Sequence, residues 1–222
     1  MLYEYRVDPS WDEFFQSNQC RLNHIFSFIE TDEHIVPSLD LVFKPFELIS
    51  LDRVKVVIVG QNPYNTAPGM SNGLAFSVPP EIGIGATLET IDQELIKSYG
   101  KPLSDTTLMH WVRQGVLLLN STFTTTLKGK DCNFSHDDVW SFFIENLMYW
   151  ISRKVTRAVF LLWGKSAGKY TKVLKGSETV IIKSPFPLSR SMHGESFVGS
   201  QTFEKCNKAL VKAGKTAIDW TS

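Results

Sequence analysis

Gln61 and Asn62 stand side by side after a glycine that ends a short apolar run, VKVVIVG, and Pro63, Tyr64 and Asn65 follow. A side-chain amide offers one acceptor and one donating NH2 group, so the pair can hold a planar polar group or orient a water without bringing charge. Three later apolar runs also end in polar groups: GVLLLN at Asn120, AVFLLWGKS at Gly164 to Ser166, and TVIIKSPFPLSR at Ser184 to Arg190. In open α/β sheets ligands bind in the crevice beyond the carboxyl ends of the strands. Four such ends therefore predict one pocket, lined by Gln61, Asn62, Tyr64, Phe76, Asn120, Ser184 and Leu188.

The elements needed to position these residues are strands alternating with helices. That alternation predicts an α/β fold, a three-layer α/β/α arrangement around a central four-stranded, mostly parallel sheet. Asp8-Pro9-Ser10 opens a helical pattern through Trp11, Phe14 and Phe15. Residues 31–53, with Pro37 and Pro45, read as irregular, and Pro63 to Gly85 as loop. Thr87 is expected to cap the amphipathic stretch LETIDQEL. Helices are also expected over Ser104 to Gln114, from Ser135 through Trp150, after Gly164, and over about Gln201 to Ala213, stopping at Gly214.

Composition narrows the function classes. The 222 residues are expected to form one domain over 1–222, with 43% hydrophobic and 21% charged residues, which argues against wholesale disorder. No apolar run approaches the roughly 20 residues of a membrane span, and the start, MLYEYRVDPSWDEFF, lacks a signal-peptide pattern. Cys20, Cys132 and Cys206 are odd in number and far apart, as expected of reduced thiols in a cytoplasmic or nuclear setting. Neither they nor the five histidines have metal-ligand spacing, so no metal and no cofactor is expected. The chain is expected to be a monomer. Net charge is zero, yet Arg153 to Arg190 holds nine basic residues (Arg153, Lys154, Arg157, Lys165, Lys169, Lys172, Lys175, Lys183, Arg190) against Glu178 alone. Such a segment is either a set of solvated helix faces or a polyanion footprint. Lys165, Lys183 and Arg190 at strand ends favour the footprint.

At VKVVIVGQNPY, GLAFS (Gly73 to Ser77), QGVLLLN, FLLWG, SPFPLS and IDW (Ile218 to Trp220), the chain resembles the uracil-DNA glycosylase family along almost its whole length. The resemblance implies that family's fold and base excision: hydrolysis of the bond joining a pyrimidine to deoxyribose after the nucleotide is flipped out. It assigns Phe76 to stacking on the base, Asn120 to its pairing edge, Tyr64 to crowding the C5 position, and Gln61 to the base carbonyl. Leu188 corresponds to the wedge that fills the vacated stack. Asn65, Thr87, Lys165, Ser166, Lys183, Ser189 and Arg190 fall where the DNA backbone would be held.

The chain also departs from the family pattern. Asn62 stands where an aspartate is usual, Asn65 where a histidine is, and Ser184 where the last motif opens with histidine. Lys165 replaces a small polar residue, and EIGIGA replaces a proline-rich loop before Thr87. Glycosidic cleavage runs through an oxocarbenium-like sugar, so Asn62 can orient water but adds no negative charge. Losing a donor to the departing base costs about 2.7–4 kcal/mol in comparable oxyanion sites, and Ser184 is the expected partial replacement. The same two changes are similar to the mismatch-specific branch of the superfamily, which suits better leaving groups. The readings left open are a monofunctional glycosylase for uracil, one for a modified pyrimidine such as a modified cytosine in viral DNA (a defence role), and a catalytically silent glycosylase fold that binds DNA or a replication partner. A nucleotide-binding protein is disfavoured because no glycine-rich phosphate loop follows any strand.

Overall fold

Four runs of consecutive apolar residues form the sheet on which the helices pack. The structure, a computed structural model, describes residues 6–129, 136–176, 178–189 and 196–222. Its strands are β1 (Ile35–Val36), β2 (Val56–Gly60), β3 (Val116–Asn120), β4 (Thr125–Thr126), β5 (Val159–Trp163) and β6 (Val180–Ser184). Its α-helices are α1 (Asp12–Ser17), α2 (Gln19–Ile29), α3 (Lys44–Leu48), α4 (Ala86–Tyr99), α5 (Met109–Arg113), α6 (Asp137–Lys154), α7 (Gly164–Gly168) and α8 (Thr202–Lys212). The four long strands lie in the order β3-β2-β5-β6, every neighbouring pair parallel. All residues of β2, β3 and β5 are buried, as expected where helices cover both faces of a parallel sheet. On the edge strand β6, Val180 and Lys183 are exposed, and a charged residue there discourages pairing with another chain.

Because the strands are parallel, their carboxyl ends share one side of the sheet. Gly60 pairs with Asn120 and Trp163 with Ser184, while Val59 pairs with Leu162 one step earlier. Asn120, Gly60, Trp163 and Ser184 therefore form one row across all four strands. Residues at the same level of a sheet present their side chains to the same face. The row is the floor on which the candidate site is built.

Aromatic packing holds the flanking helices. Trp11, Phe14, Phe15, Phe43, Phe46, Trp140 and Phe143 interlock edge-to-face around α1, α2, α3 and α6. A second group, Trp111, Trp163, Phe197, Phe203 and Trp220, joins α5, α8 and the last residues to the sheet. The buried carboxylate of Glu94 on α4 accepts from the backbone N–H of Gly199 and, at 2.7 Å, from that of Gln201, fixing the chain's entry into α8.

Several local expectations differ from the structure. Between 104 and 114 only Met109 to Arg113 is helical. The Asp105 carboxylate takes the N–H of Thr107 at 2.6 Å and its hydroxyl, and Leu108 adopts a left-handed φ of 56°, so the side chain supplies a turn in place of the first helical bonds. Thr87 is not a cap: Gly85 occupies that position, and Thr87 lies inside α4. The antiparallel pair β1–β4 was not expected from the sequence. Ser135, the expected start of the long helix, lies outside the described residues, and α6 runs from Asp137 with acids in its first turn, which suit the helix dipole.

A buried polar network joins β4 to α6. The Thr126 hydroxyl donates to Asp32 at 2.6 Å, and Trp140 Nε1 donates to Thr124 Oγ1 at 2.7 Å. Thr124 Oγ1 also lies 2.8 Å from His136 Nδ1, and His136 Nε2 faces the Asp32 carboxylate at 3.5 Å. A proton on Nε2 suits that facing. Burial holds the His136 pKa below the usual histidine value, against the opposing pull of Asp32 and Asp137. The unfolded chain therefore binds a proton on this residue that the folded chain refuses, so its contribution to stability falls as pH drops below about 6.5. Thermal melts at pH 7.5 and 5.5 should show a larger loss for the native protein than for His136→Gln, which cannot ionise. Equal losses would place the acid sensitivity elsewhere.

Candidate active site

The row at the carboxyl ends has a deliberate gap. A Cβ on Gly60 would sit 2.7 Å from Asn120 Oδ1 and 3.0 Å from Phe76 Cζ, so the missing side chain is what admits both groups. Phe76 enters the gap from the loop after β2, in a left-handed φ of 67° that is uncommon for a large residue. Its ring packs on Trp163 with centroids 4.9 Å apart. The loop is held in place for it: Asn72 Nδ2 donates to Ser77 Oγ at 2.6 Å, Ser77 Oγ donates to Thr107 O at 2.9 Å, and Val78 N donates to Thr106 O at 2.9 Å. Such surrounding bonds allow a strained backbone to persist at a functional position.

Above this floor Gln61, Asn62, Pro63, Tyr64, Leu74, Phe76, Thr87, Asn120 and Phe186 line a small cleft at the carboxyl ends of the strands. The first loop is fastened from below, where Gln61 O accepts from Ser121 N at 3.0 Å and Ser121 Oγ at 2.9 Å. Asn120 is 7% exposed, and among the described residues its amide has no hydrogen-bond partner, which leaves it available to a ligand. Burial pushes the Tyr64 phenol up to about 12 despite its hydrogen bond with Thr87, so Tyr64 is neutral at physiological pH. Its hydroxyl also lies 3.5 Å from Phe76 O.

The structure thus gathers Gln61, Asn62, Tyr64, Phe76 and Asn120 into one pocket, as the strand ends suggested. Two expected lining residues are not among its walls. Ser184 closes the row beside Trp163, but its hydroxyl is buried with no hydrogen-bond partner and does not line the cleft. Leu188 is 49% exposed at the tip of a turn closed by Ser189, whose N–H and hydroxyl both reach Phe186 O, at 2.8 and 2.7 Å. Proline at the second position of that turn fits its geometry. Phe186 takes the place expected of Ser184. Gly164, at φ 84°, lies so close that a Cβ there would be 2.8 Å from Phe186 Cβ, and this approach seats the phenyl ring on the pocket.

The residues expected to hold a DNA backbone divide. Lys165, Lys183 and Ser189 are exposed on the carboxyl side of the sheet and Ser166 is half-buried on α7, while Arg190 lies outside the described residues. Thr87 is buried, lines the pocket and is turned to Tyr64. Asn65 donates its amide N–H to Thr126 O at 3.0 Å, tying the first loop to β4. The basic segment is also split: Arg153, Lys154 and Arg157 precede β5, at the opposite end of the sheet. Lys154 pairs with Glu13 at 2.8 Å and Arg157 with Glu178 at 3.1 Å.

Residues 46–211 match the family model described as the Uracil DNA glycosylase superfamily. The chain belongs to that family. It is 36% identical to the uracil-DNA glycosylase of Streptococcus mutans, over 90% of each chain, and 34% identical to that of Campylobacter concisus, over 99% of this chain and 96% of the relative. In three dimensions it is similar to mimivirus uracil-DNA glycosylase, with a TM-score of 0.85, 25% identity, and 99% and 95% of the two chains covered. A mimivirus UNG variant solved in complex with UGI gives a TM-score of 0.85 at 26% identity, covering 97% of this chain and 89% of that one. As a member of this family the protein is a monofunctional DNA glycosylase, a hydrolase acting on N-glycosyl bonds.

Gly60 is the sharpest test of how the family pocket is held open here. In Gly60→Ala the new methyl meets the Asn120 amide and the Phe76 ring, both side chains, so the sheet should survive with a loss of about 1–3 kcal/mol. Glycosylase activity should fall at least about tenfold because the two groups are displaced from their seats. Denaturant melts beside single-turnover rates separate the two effects.

Proposed function

We propose that this glycosylase removes uracil from DNA, leaving an abasic site, with the flipped base held between Phe76 and the first loop. The observation that carries the reading is the unpartnered Asn120 amide, which shares the space over Gly60 with the Phe76 ring at the wall of one cleft. The amide oxygen accepts the N3–H of uracil and its NH2 donates to O4, a pattern that cytosine reverses. Tyr64 stands as a fixed wall, with its hydroxyl bonded to Thr87 and near Phe76 O, which argues against pyrimidines carrying large C5 groups. That closed wall favours uracil over the heavily modified cytosines that the altered loop before Thr87 would otherwise invite.

The chemistry is hydrolysis without a carboxylate. Asn62 is exposed at the pocket edge, where its carbonyl oxygen can accept a proton of the attacking water and aim the oxygen at C1′. The C1′–N1 bond breaks ahead of attack, the electron pair leaves with the base, and the water oxygen forms the new bond while its proton passes to solvent. Lys165 and Lys183 are exposed and do not line the cleft, so among the described residues no amine lines the cleft to form a Schiff base, in keeping with a monofunctional enzyme. The turn that exposes Leu188 and Ser189 faces the DNA, with Leu188 entering the stack the base has left.

Duplexes carrying uracil, thymine mispairs or C5-modified cytosines, treated with the protein and then with alkali, test this directly. Scission is expected at uracil, reduced by about 10–100-fold in Asn62→Ala through lost positioning of water and by about 10²–10³-fold in Asn120→Ala through lost hydrogen bonding to the base. DNA binding with no scission on any substrate would favour a silent fold instead.

Tyr64→Ala tests the wall separately. Removing the ring should let thymine enter and raise its excision relative to uracil by about 10–200-fold, the usual worth of one methyl or methylene clash. An unchanged thymine-to-uracil ratio would show that the exclusion lies elsewhere in the pocket.

A further inference from the structure

We propose that Phe186 is a substrate-contacting, specificity-determining residue of this site: its ring forms a third aromatic wall, with Tyr64 and Phe76, and packs on the flipped nucleotide. The inference rests on the reading of the cleft as a uracil pocket. Phe186 lines the cleft directly, whereas Ser184, two residues earlier, does not. Its position is built and not incidental. Gly164 gives up a side chain and adopts φ 84° so that Phe186 can approach, and Ser189 closes the turn on the Phe186 carbonyl with two hydrogen bonds.

The ring has an open side. Phe76 rests on Trp163, but Phe186 makes no ring contact with any described residue, although its body packs on the core. An aromatic surface at a pocket wall without an aromatic partner among the described residues is a surface for a planar or apolar guest, and the guest here is a nucleoside. The buried, unpartnered hydroxyl of Ser184 is consistent with this division of labour. The last motif contributes an apolar face to the bound nucleotide in place of a hydrogen-bond donor.

The test uses equilibrium binding to a duplex with a single 2′-fluoro-2′-deoxyuridine, which resists hydrolysis, against the same duplex with thymidine at that position. Phe186→Ala, Phe186→Leu and Phe186→Tyr are compared with the native protein, each with a thermal melt. Phe186→Ala should weaken binding to the fluorinated-uridine duplex about tenfold, within the range for loss of one aromatic stack on a base, and leave thymidine-duplex binding unchanged. Phe186→Tyr should restore it, and Phe186→Leu, which keeps bulk without a π-face, should not. Equal weakening on both duplexes, no weakening, or full rescue by Leu would overturn the proposal. Should Phe186→Ala melt out of range, the Leu and Tyr variants still decide it. If the native protein neither excises uracil nor prefers the fluorinated-uridine duplex, the proposed function has failed and the inference falls with it. If the native protein does both and the Phe186 variants match it, the inference alone has failed.

Discussion

The site depends on a side chain that is missing. Asn120, Gly60, Trp163 and Ser184 make one row across the carboxyl ends of four parallel strands, and a Cβ at Gly60 would occupy the space taken by the Asn120 amide and the Phe76 ring. The sheet supplies rigidity, since β2, β3 and β5 are buried along their whole length. The loop after β2 supplies the aromatic, held at a left-handed φ by bonds from Asn72 and Ser77. Neither contribution makes a pocket alone. Sites whose groups are carried by strand ends and locked by neighbours keep the sub-ångström placement that binding a flat ring requires.

Much of this was legible in the sequence because the signals were local. Each strand is a run of apolar residues ending in a polar or glycine position, and those four runs are the four sheet strands. The parallel arrangement follows from the helices between them, and convergence of Gln61, Asn62, Tyr64, Phe76 and Asn120 follows from parallel strands. What was not legible depended on tertiary approach. Phe186 reaches the pocket only because Gly164, more than twenty residues away, turns with a positive φ. Thr87 reads as a cap from its neighbours, yet Gly85 begins α4 and the hydroxyl goes to Tyr64. Asp105 diverts residues 104–108 from a helix by bonding Thr107, a side-chain turn that competes with the first helical bonds. The basic segment spans both ends of β5, with Arg157 near one and Lys165 near the other, a division that sequence proximity conceals.

The neutral side chains along its walls give the pocket a consistent character. Asn62 brings no negative charge to a cationic sugar, Tyr64 stays neutral with its phenol pushed up to about 12, and Phe186 offers no donor to the departing base. An ionised group that would stabilise the transition state through space is absent from the cleft walls described. The rate must then come from holding the base and water in a reactive arrangement, which in favourable cases supplies about 7–11 kcal/mol of a barrier. Burial of Asn120 strengthens the hydrogen bonds its amide makes, because water competes less for them. With little help for the negative charge on the leaving base, turnover should track how well the base itself bears that charge. Selectivity in such an enzyme arises twice, once from the shape set by Tyr64, Phe76 and Phe186 and once from the intrinsic stability of the departing anion.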